Sequence, residues 1–474
     1  MKVLKKSTFL IIMGVLCTST ICVWTLGGLN QSKKHHINYQ KNNASPLSLI
    51  RENEVILHEN ENISNLSPAR YYCNFPETFE TDAIEEGTGE PGWKLKQAHV
   101  VIRHGDRTPL KFDLYKAMGV VPNFCNVFDD KTGNKFPVLI KYRETVSAQY
   151  DQALRKGVYV FTDPLPRSVL CSPGQLTSLG VLQQLNNGFA LRRVYFDKHK
   201  LTAVKVISTR VRRTFQSAVA FLYGFLPDFN LLEVPVRTSP HPAFCESDCI
   251  CRKVKKLQKL INEKHYEVYR RRQVKNPVIR KLSSTLSISD HTGVQIDSLV
   301  TGYLCKEMKL PCNISGTCVK DQDLNVIMNE HEYMNRISIE ESAERNQSLL
   351  LVQPMLKMIS GAMDQSVATD MNVGRLYLYS GHDTTVRPLL QALALPEYRW
   401  PRLGSRLVFE LWEFQNKHFI KVIFNGLDMT SQSHFCKGLP GRSCLYSRFR
   451  DFVNYEIAEY FGSKTRTGAC MQEN

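Results

Sequence analysis

Residues 103–109 read Arg-His-Gly-Asp-Arg-Thr-Pro, directly after the apolar Val100, Val101 and Ile102. The heptapeptide sets one imidazole, His104, between two guanidiniums at the end of an expected strand. Such a set suits a phosphate monoester: the arginines hold planar pairs of phosphoryl oxygens while a ring nitrogen attacks phosphorus. Gly105 is expected to let the backbone turn tightly, and Pro109 to stop the strand. Two further segments repeat the order of apolar strand, polar turn and helix. They are Ser208–Thr214, which holds Arg213, and Ser380–Thr385, which holds His382 and Asp383. In an open α/β sheet the carboxyl ends of the strands gather around one crevice. If these three ends meet, Arg103, His104, Arg107, Arg213, His382 and Asp383 supply a nucleophile, a cationic cradle and an acid, which is what metal-free phosphoryl transfer requires. No metal and no cofactor is expected. Taken singly, Arg213 reads as a solvated helix start and His382-Asp383 as a capped turn; the heptapeptide gives both a chemical reading.

The elements that must position these groups follow from periodicity. Strands are expected at about 97–102, 203–207, 375–379, 406–414 and 418–424, the last two as a hairpin. Ser172 and Pro173 are expected to open a helix whose Leu176, Leu179, Leu182, Leu185 and Phe189 share a face. A second helix carries Val211, Phe215, Val219 and Leu222. Between 233 and 374 the strand signal fades and charge rises, so this stretch reads as a mainly helical cap insertion. Strand–helix alternation makes the fold class α/β, with core segments 71–232 and 375–474 around that cap.

The chain has 474 residues, with 61 Lys plus Arg against 45 Asp plus Glu, a formal charge of +16. A basic balance attracts polyanions without choosing among nucleic acid, anionic glycan and membrane surface. The dense run Arg252–Lys281 reads first as a solvated face, with glycan binding as its functional alternative. Phe9–Leu29 holds no charged residue and is long enough to span a bilayer as a helix. With no small-residue cleavage site evident, it reads as an uncleaved signal anchor between a cytosolic tail, 1–8, and a stalk, 30–70. Sequons begin at Asn43, Asn62, Asn65, Asn313 and Asn346, Pro46 disfavouring the first. Twelve of the fourteen cysteines lie beyond the apolar run, at spacings that suit disulfides rather than a metal site. Their pairing is not readable from sequence.

The heptapeptide and the distal His-Asp pair resemble the histidine acid phosphatases, a branch of the phosphoglycerate-mutase-like fold. The likeness extends to Gly174–Gly180, Arg213-Thr214 and Tyr379–Thr385, and covers nearly all of the chain beyond the stalk. Within the family, Tyr72–Pro76, Leu222–Phe229, Arg406–Trp412 and the anchored layout are similar to the type II Golgi members that remove the 2-phosphate of xylose in the proteoglycan linkage region. The resemblance implies a mixed sheet with helices on both faces and a phosphohistidine on His104. It implies that Arg103, Arg107, Arg213 and His382 hold the phosphoryl oxygens, that Asp383 protonates the leaving oxygen, and that Asp106 gives electrostatic support. It further implies a luminal catalytic domain on a Golgi membrane, linkage-region glycans on proteoglycan core proteins as partners, no nucleic acid, and association with linkage-region glycosyltransferases. The alternatives are a broad acid phosphatase or inositol-polyphosphate phosphatase of the same fold, and an inactive glycan-binding ectodomain. Arg210 and Arg212 flank the third arginine where secreted family members tend to be acidic, and a basic rim suits an anionic glycan.

Overall fold

The computed structural model describes residues 67–471 apart from 77–83, 118–124, 126–134, 168–170, 246–249, 287–294, 341, 370–373, 398 and 439–443. The expected tail, anchor, most of the stalk, and Asn43, Asn62 and Asn65 lie outside the described residues. Among the described residues, no helix is long and apolar enough to cross a membrane.

A mixed sheet forms the body. Its strands are β1 (Lys94–Arg103), β2 (Ala203–Thr209), β3 (Val236–Ser239), β4 (Arg375–Gly381), β5 (Arg406–Phe414), β6 (Lys417–Phe424) and β7 (Leu427–Asp428), with β8 (Cys444–Leu445) pairing β6. The order is β3-β2-β4-β1-β5-β6-β7. The first four run parallel, and β5 and β6 turn back as an antiparallel hairpin. Central parallel strands are covered on both faces and therefore need apolar side chains throughout. Alternation decides which layer each residue enters. Val100, Ile102, Leu376 and Leu378 join one apolar cluster, with helices α2 (Pro137–Arg155), α3 (Ser178–Leu191) and α4 (Arg212–Phe225). Val101, Tyr377 and Tyr379 join the other, with α8 (Ser342–Thr369) and α9 (Asp383–Ala392), and Val254 of α5 (Arg252–Lys275) packs against it.

Three expectations are corrected here. The first helix of the site begins at Ser178, with Thr177 as its N-cap, and not at Ser172-Pro173. Gly174 lies at φ +68, and Thr108 N donates to Gln175 O while Gly174 N donates to Pro109 O, both at 2.9 Å. Residues 172–176 therefore run beside the heptapeptide rather than coiling. The cap is also narrower than 233–374. β3 belongs to the sheet, and α8 packs on its face. The cap that remains, with α6 (Pro277–Leu286) and α7 (Asp321–Glu340), shares a separate apolar cluster with Tyr72, Tyr115 and Leu403. Helix α1 (Pro68–Cys73), capped by Ser67 with proline in its first turn, enters that cluster, so the folded body has begun by Pro68 rather than after residue 70.

The described disulfides are Cys73–Cys305, Cys125–Cys171, Cys251–Cys470, Cys312–Cys318 and Cys436–Cys444, and Cys245 is also disulfide-bonded. The two described sequons differ. Asn313 lies in a turn before the fully exposed Ile314. Asn346 sits within α8, half-buried with its Oδ1 enclosed, and the sequon's Ser348 is buried against Gln391.

Candidate active site

The three strand ends meet. β4 lies between β1 and β2, pairing Arg103 with Gly381 and Ser208 with Ser380. His104 N donates to Gly381 O at 2.9 Å, which joins the heptapeptide to the His382-Asp383 turn. Gly105 is needed here, although not for a left-handed turn. A Cβ on it would stand 2.1 Å from the carbonyl oxygen of Gly180, so α3 could not approach the turn.

His104 is buried, and its Nδ1 lies 2.8 Å from Gly105 O. A carbonyl only accepts, so Nδ1 carries the proton and Nε2 keeps the lone pair. Burial, followed by the charges of Arg213, Arg103, His382 and Arg107, holds His104 well below the usual histidine range. The imidazole is thus neutral and nucleophilic in mildly acidic solution. The His382 ring stands 5.5 Å away, edge to face. Arg213 Nη2 points at its Nδ1 at 3.4 Å, which leaves Nε2–H to donate to Thr209 Oγ1 at 2.9 Å. Burial and Arg213 bring the His382 pKa down to about 3.

The arginines are fixed from behind. Arg103 Nη2 donates to Tyr72 Oη at 2.8 Å and to Asp383 Oδ2 at 3.2 Å, while Nη1 donates to Pro401 O. Arg107 Nη1 donates to Asp297 Oδ1 at 2.7 Å. Arg213 stands in the first turn of α4, where the helix end adds positive potential. Burial and the neighbouring Arg107 push the Arg213 pKa down to about 9. All three Nε atoms are buried without a partner among the described residues. Three guanidiniums beside two carboxylates, with donors left over, make a cationic cluster that a phosphate dianion would satisfy.

Asp383 accepts from Arg103, from Trp400 Nε1 at 3.1 Å and from Thr384 N at 2.8 Å. Burial alone would raise its pKa, but Arg103, Arg107, His382 and the Trp400 N–H outweigh it and hold the carboxyl far below the usual range. Asp106, read from sequence as electrostatic support, also has structural partners. Its Oδ2 accepts from Thr177 Oγ1 and from Lys306 Nζ, so it ties the start of α3 and a cap residue to the turn. The charges that act most strongly on His104 are the four named above.

Sequence reasoning brought together Arg103, His104, Arg107, Arg213, His382 and Asp383, and missed the residues that brace them. Tyr72, Asp297, Lys306 and Trp400 come from segments with no strand–turn–helix pattern. Tyr72 precedes Cys73 and Lys306 follows Cys305, and the structure joins these two cysteines, a pairing the sequence does not reveal. A single covalent bond thus stands between the Tyr72–Arg103 contact and the Lys306–Asp106 contact. Arg210 and Arg212 are exposed on either side of the α4 start.

The family described as "Histidine phosphatase superfamily (branch 2)" matches residues 94–425. A human protein named "2-phosphoxylose phosphatase 1" is 33% identical over 441 residues, covering 85% of this chain and 86% of its own. A protein of the same name from Xenopus tropicalis is 31% identical over 437 residues, covering 86% and 83%. Human "Lysophosphatidic acid phosphatase type 6" is 22% identical over 382 residues, covering 75% and 82%. Among solved structures, Hafnia alvei phytase in complex with myo-inositol hexakis sulphate matches with a TM-score of 0.48 and 15% identity, covering 77% of this chain and 97% of that one.

Proposed function

Because the chain belongs to branch 2 of the histidine phosphatase superfamily and is a phosphoric monoester hydrolase, we propose that it removes the 2-phosphate of xylose in the glycosaminoglycan–protein linkage, through a phosphohistidine on His104. The observation that carries the reaction is the junction of β1, β2 and β4, which sets the neutral His104 against three guanidiniums and Asp383. In the first step Nε2 bonds to phosphorus as the P–O bond to the sugar breaks, and Asp383 gives its proton to the departing oxygen. In the second step the Asp383 carboxylate takes a proton from water as that water's oxygen bonds to phosphorus and the P–Nε2 bond breaks. Arg103, Arg107 and Arg213 oppose the charge on the equatorial oxygens throughout. Asp383 is ionised in the empty site, so its proton arrives with the substrate: the phosphate's negative charge offsets the arginines that keep the carboxyl acidic.

The sugar assignment is supported by the relatives' names and by their extended match to the chain. The exposed Arg210 and Arg212 fit an anionic glycan. A luminal site on a Golgi membrane, held by the apolar 9–29 segment as a type II anchor, is part of the same proposal, and a disulfide-rich body suits an oxidising lumen. So is association with the linkage-region glycosyltransferases that would meet this substrate. The test offers the full chain a 2-phosphoxylose linkage oligosaccharide, inositol hexakisphosphate and phenyl phosphate. The linkage oligosaccharide should give the highest kcat/KM; a higher value for inositol hexakisphosphate overturns the substrate assignment.

A further inference from the structure

One cap side chain approaches the acid side of the site. His331 lies on α7, and its ring meets the Trp400 indole at 4.7 Å between centroids, tilted by 60°. Trp400 in turn donates to Asp383 at 3.1 Å. His331 is therefore one ring away from the leaving-group acid, close enough for the charges of Arg387, Asp383 and Arg103 to act on it. Its Nδ1 is buried and has no hydrogen-bond partner among the described residues. Arg387 does not fill that vacancy: it ion-pairs with Glu344 at 3.1 Å and lies 4.8 Å from the Trp400 ring centre. Buried polar atoms are nearly always satisfied, and one left open beside a reaction centre marks a place for a ligand atom.

In-line displacement fixes which ligand atom that is. The attacking Nε2 and the departing oxygen stand on opposite sides of phosphorus. The departing oxygen therefore faces Asp383, and the carbon skeleton behind it runs along the neighbours of Asp383, namely Trp400 and His331. An alcohol that carries a hydroxyl on the carbon next to the phosphorylated one brings that hydroxyl to this ground. A neutral imidazole nitrogen can accept from it or donate to it, according to tautomer.

We propose that His331 is a specificity-determining residue that hydrogen-bonds the hydroxyl vicinal to the phosphorylated carbon, so that vicinal-diol monophosphates are preferred over simple alkyl phosphates. This rests on the phosphomonoesterase reading above and applies to any such diol, xylose included. The test compares kcat/KM of the full chain for glycerol 1-phosphate and for n-propyl phosphate, which lacks the vicinal hydroxyl. The wild type should favour the glycerol ester about tenfold, His331→Leu should bring the ratio to about one, and His331→Gln should recover part of it. A ratio near one in the wild type, or a ratio that His331→Leu leaves unchanged, overturns the proposal. Should His331→Leu fail to fold, the wild-type ratio and His331→Gln decide. If the glycerol ratio behaves as expected while a 2-phosphoxyloside is not hydrolysed, the xylose assignment fails and the role of His331 stands. A chain that turns over no monoester overturns both.

Discussion

The Nδ1–H of His104 donates to the carbonyl oxygen of the next residue, Gly105, at 2.8 Å, so the tautomer of this imidazole is set by its own turn. Nε2 keeps its lone pair with no other base needed to free it. The environment then sets the pH range, because burial and Arg213 hold the imidazole neutral well below pH 6.5.

An unperturbed histidine loses about thirtyfold of its neutral form between pH 7 and pH 5. Here kcat/KM, corrected for substrate ionisation, should change by less than about threefold over that interval. Arg213→Met removes a charge that lowers the His104 pKa, so its acid limb should move to higher pH on top of weaker phosphate binding. His104→Ala should lose about a thousandfold or more in turnover and all trapping of phosphoenzyme by rapid quench. A trapped phosphoenzyme in His104→Ala sinks the assignment.

Trp400 holds Asp383 by a single indole N–H, which phenylalanine cannot supply. Asp383→Ala should slow alkyl phosphates by about a hundredfold or more and slow phenyl phosphate much less, since phenolate leaves with little help. Trp400→Phe should show the same selectivity at about a tenth of that size. Equal losses on both substrates would remove Trp400 from the positioning of the acid.

Lys306 and Asp106 form an ion pair in which both side chains are nearly inaccessible, 4% and 0% exposed. Lys306→Met leaves a buried carboxylate uncompensated and should cost about 3–5 kcal/mol in urea unfolding. The double variant Lys306→Met with Asp106→Asn should recover much of that. Because Asp106 acts through this pair, Asp106→Asn should leave the position of the kcat/KM acid limb where it is. An acid limb moved by a full pH unit would instead support the electrostatic role read from sequence.

His99 is stacked on Tyr377, contacts Tyr379 Oη and Gln97, and burial lowers its pKa to about 3. Its folded pKa lies below its unfolded value, so the stability it contributes is complete above pH 6.5 and is lost as pH falls toward 3. Between pH 6.5 and 5 the loss is about 2 kcal/mol. His99→Gln should lower the slope of unfolding free energy against pH by about one proton across that window. An unchanged slope would show that His99 takes up its proton in the native state.

The parts legible from sequence were those whose positions follow from period and turn. β1, β2, β4 and the β5–β6 hairpin were placed within a few residues, because buried strands flanked by Gly, Ser and Pro are hard to read otherwise. β3 was missed because Val236–Ser239 is four residues at the sheet edge, with Arg237 exposed. Asp297, Lys306 and Trp400 were missed for another reason: they reach the site by tertiary packing of the cap, and no local spacing records where a cap folds back. The Ser172-Pro173 start was a sound helix signal overridden by contacts with Thr108 and Pro109.

The Cys73–Cys305 bond spans 232 residues, and closing such a loop removes about 5 kcal/mol of entropy from the unfolded chain. Its consequence concerns maturation. A newly made chain whose cysteines are still thiols contains every reacting group, yet lacks the tether that keeps Tyr72 on Arg103 and Lys306 on Asp106. Joining this pair therefore favours the folded arrangement in which both contacts are made at once.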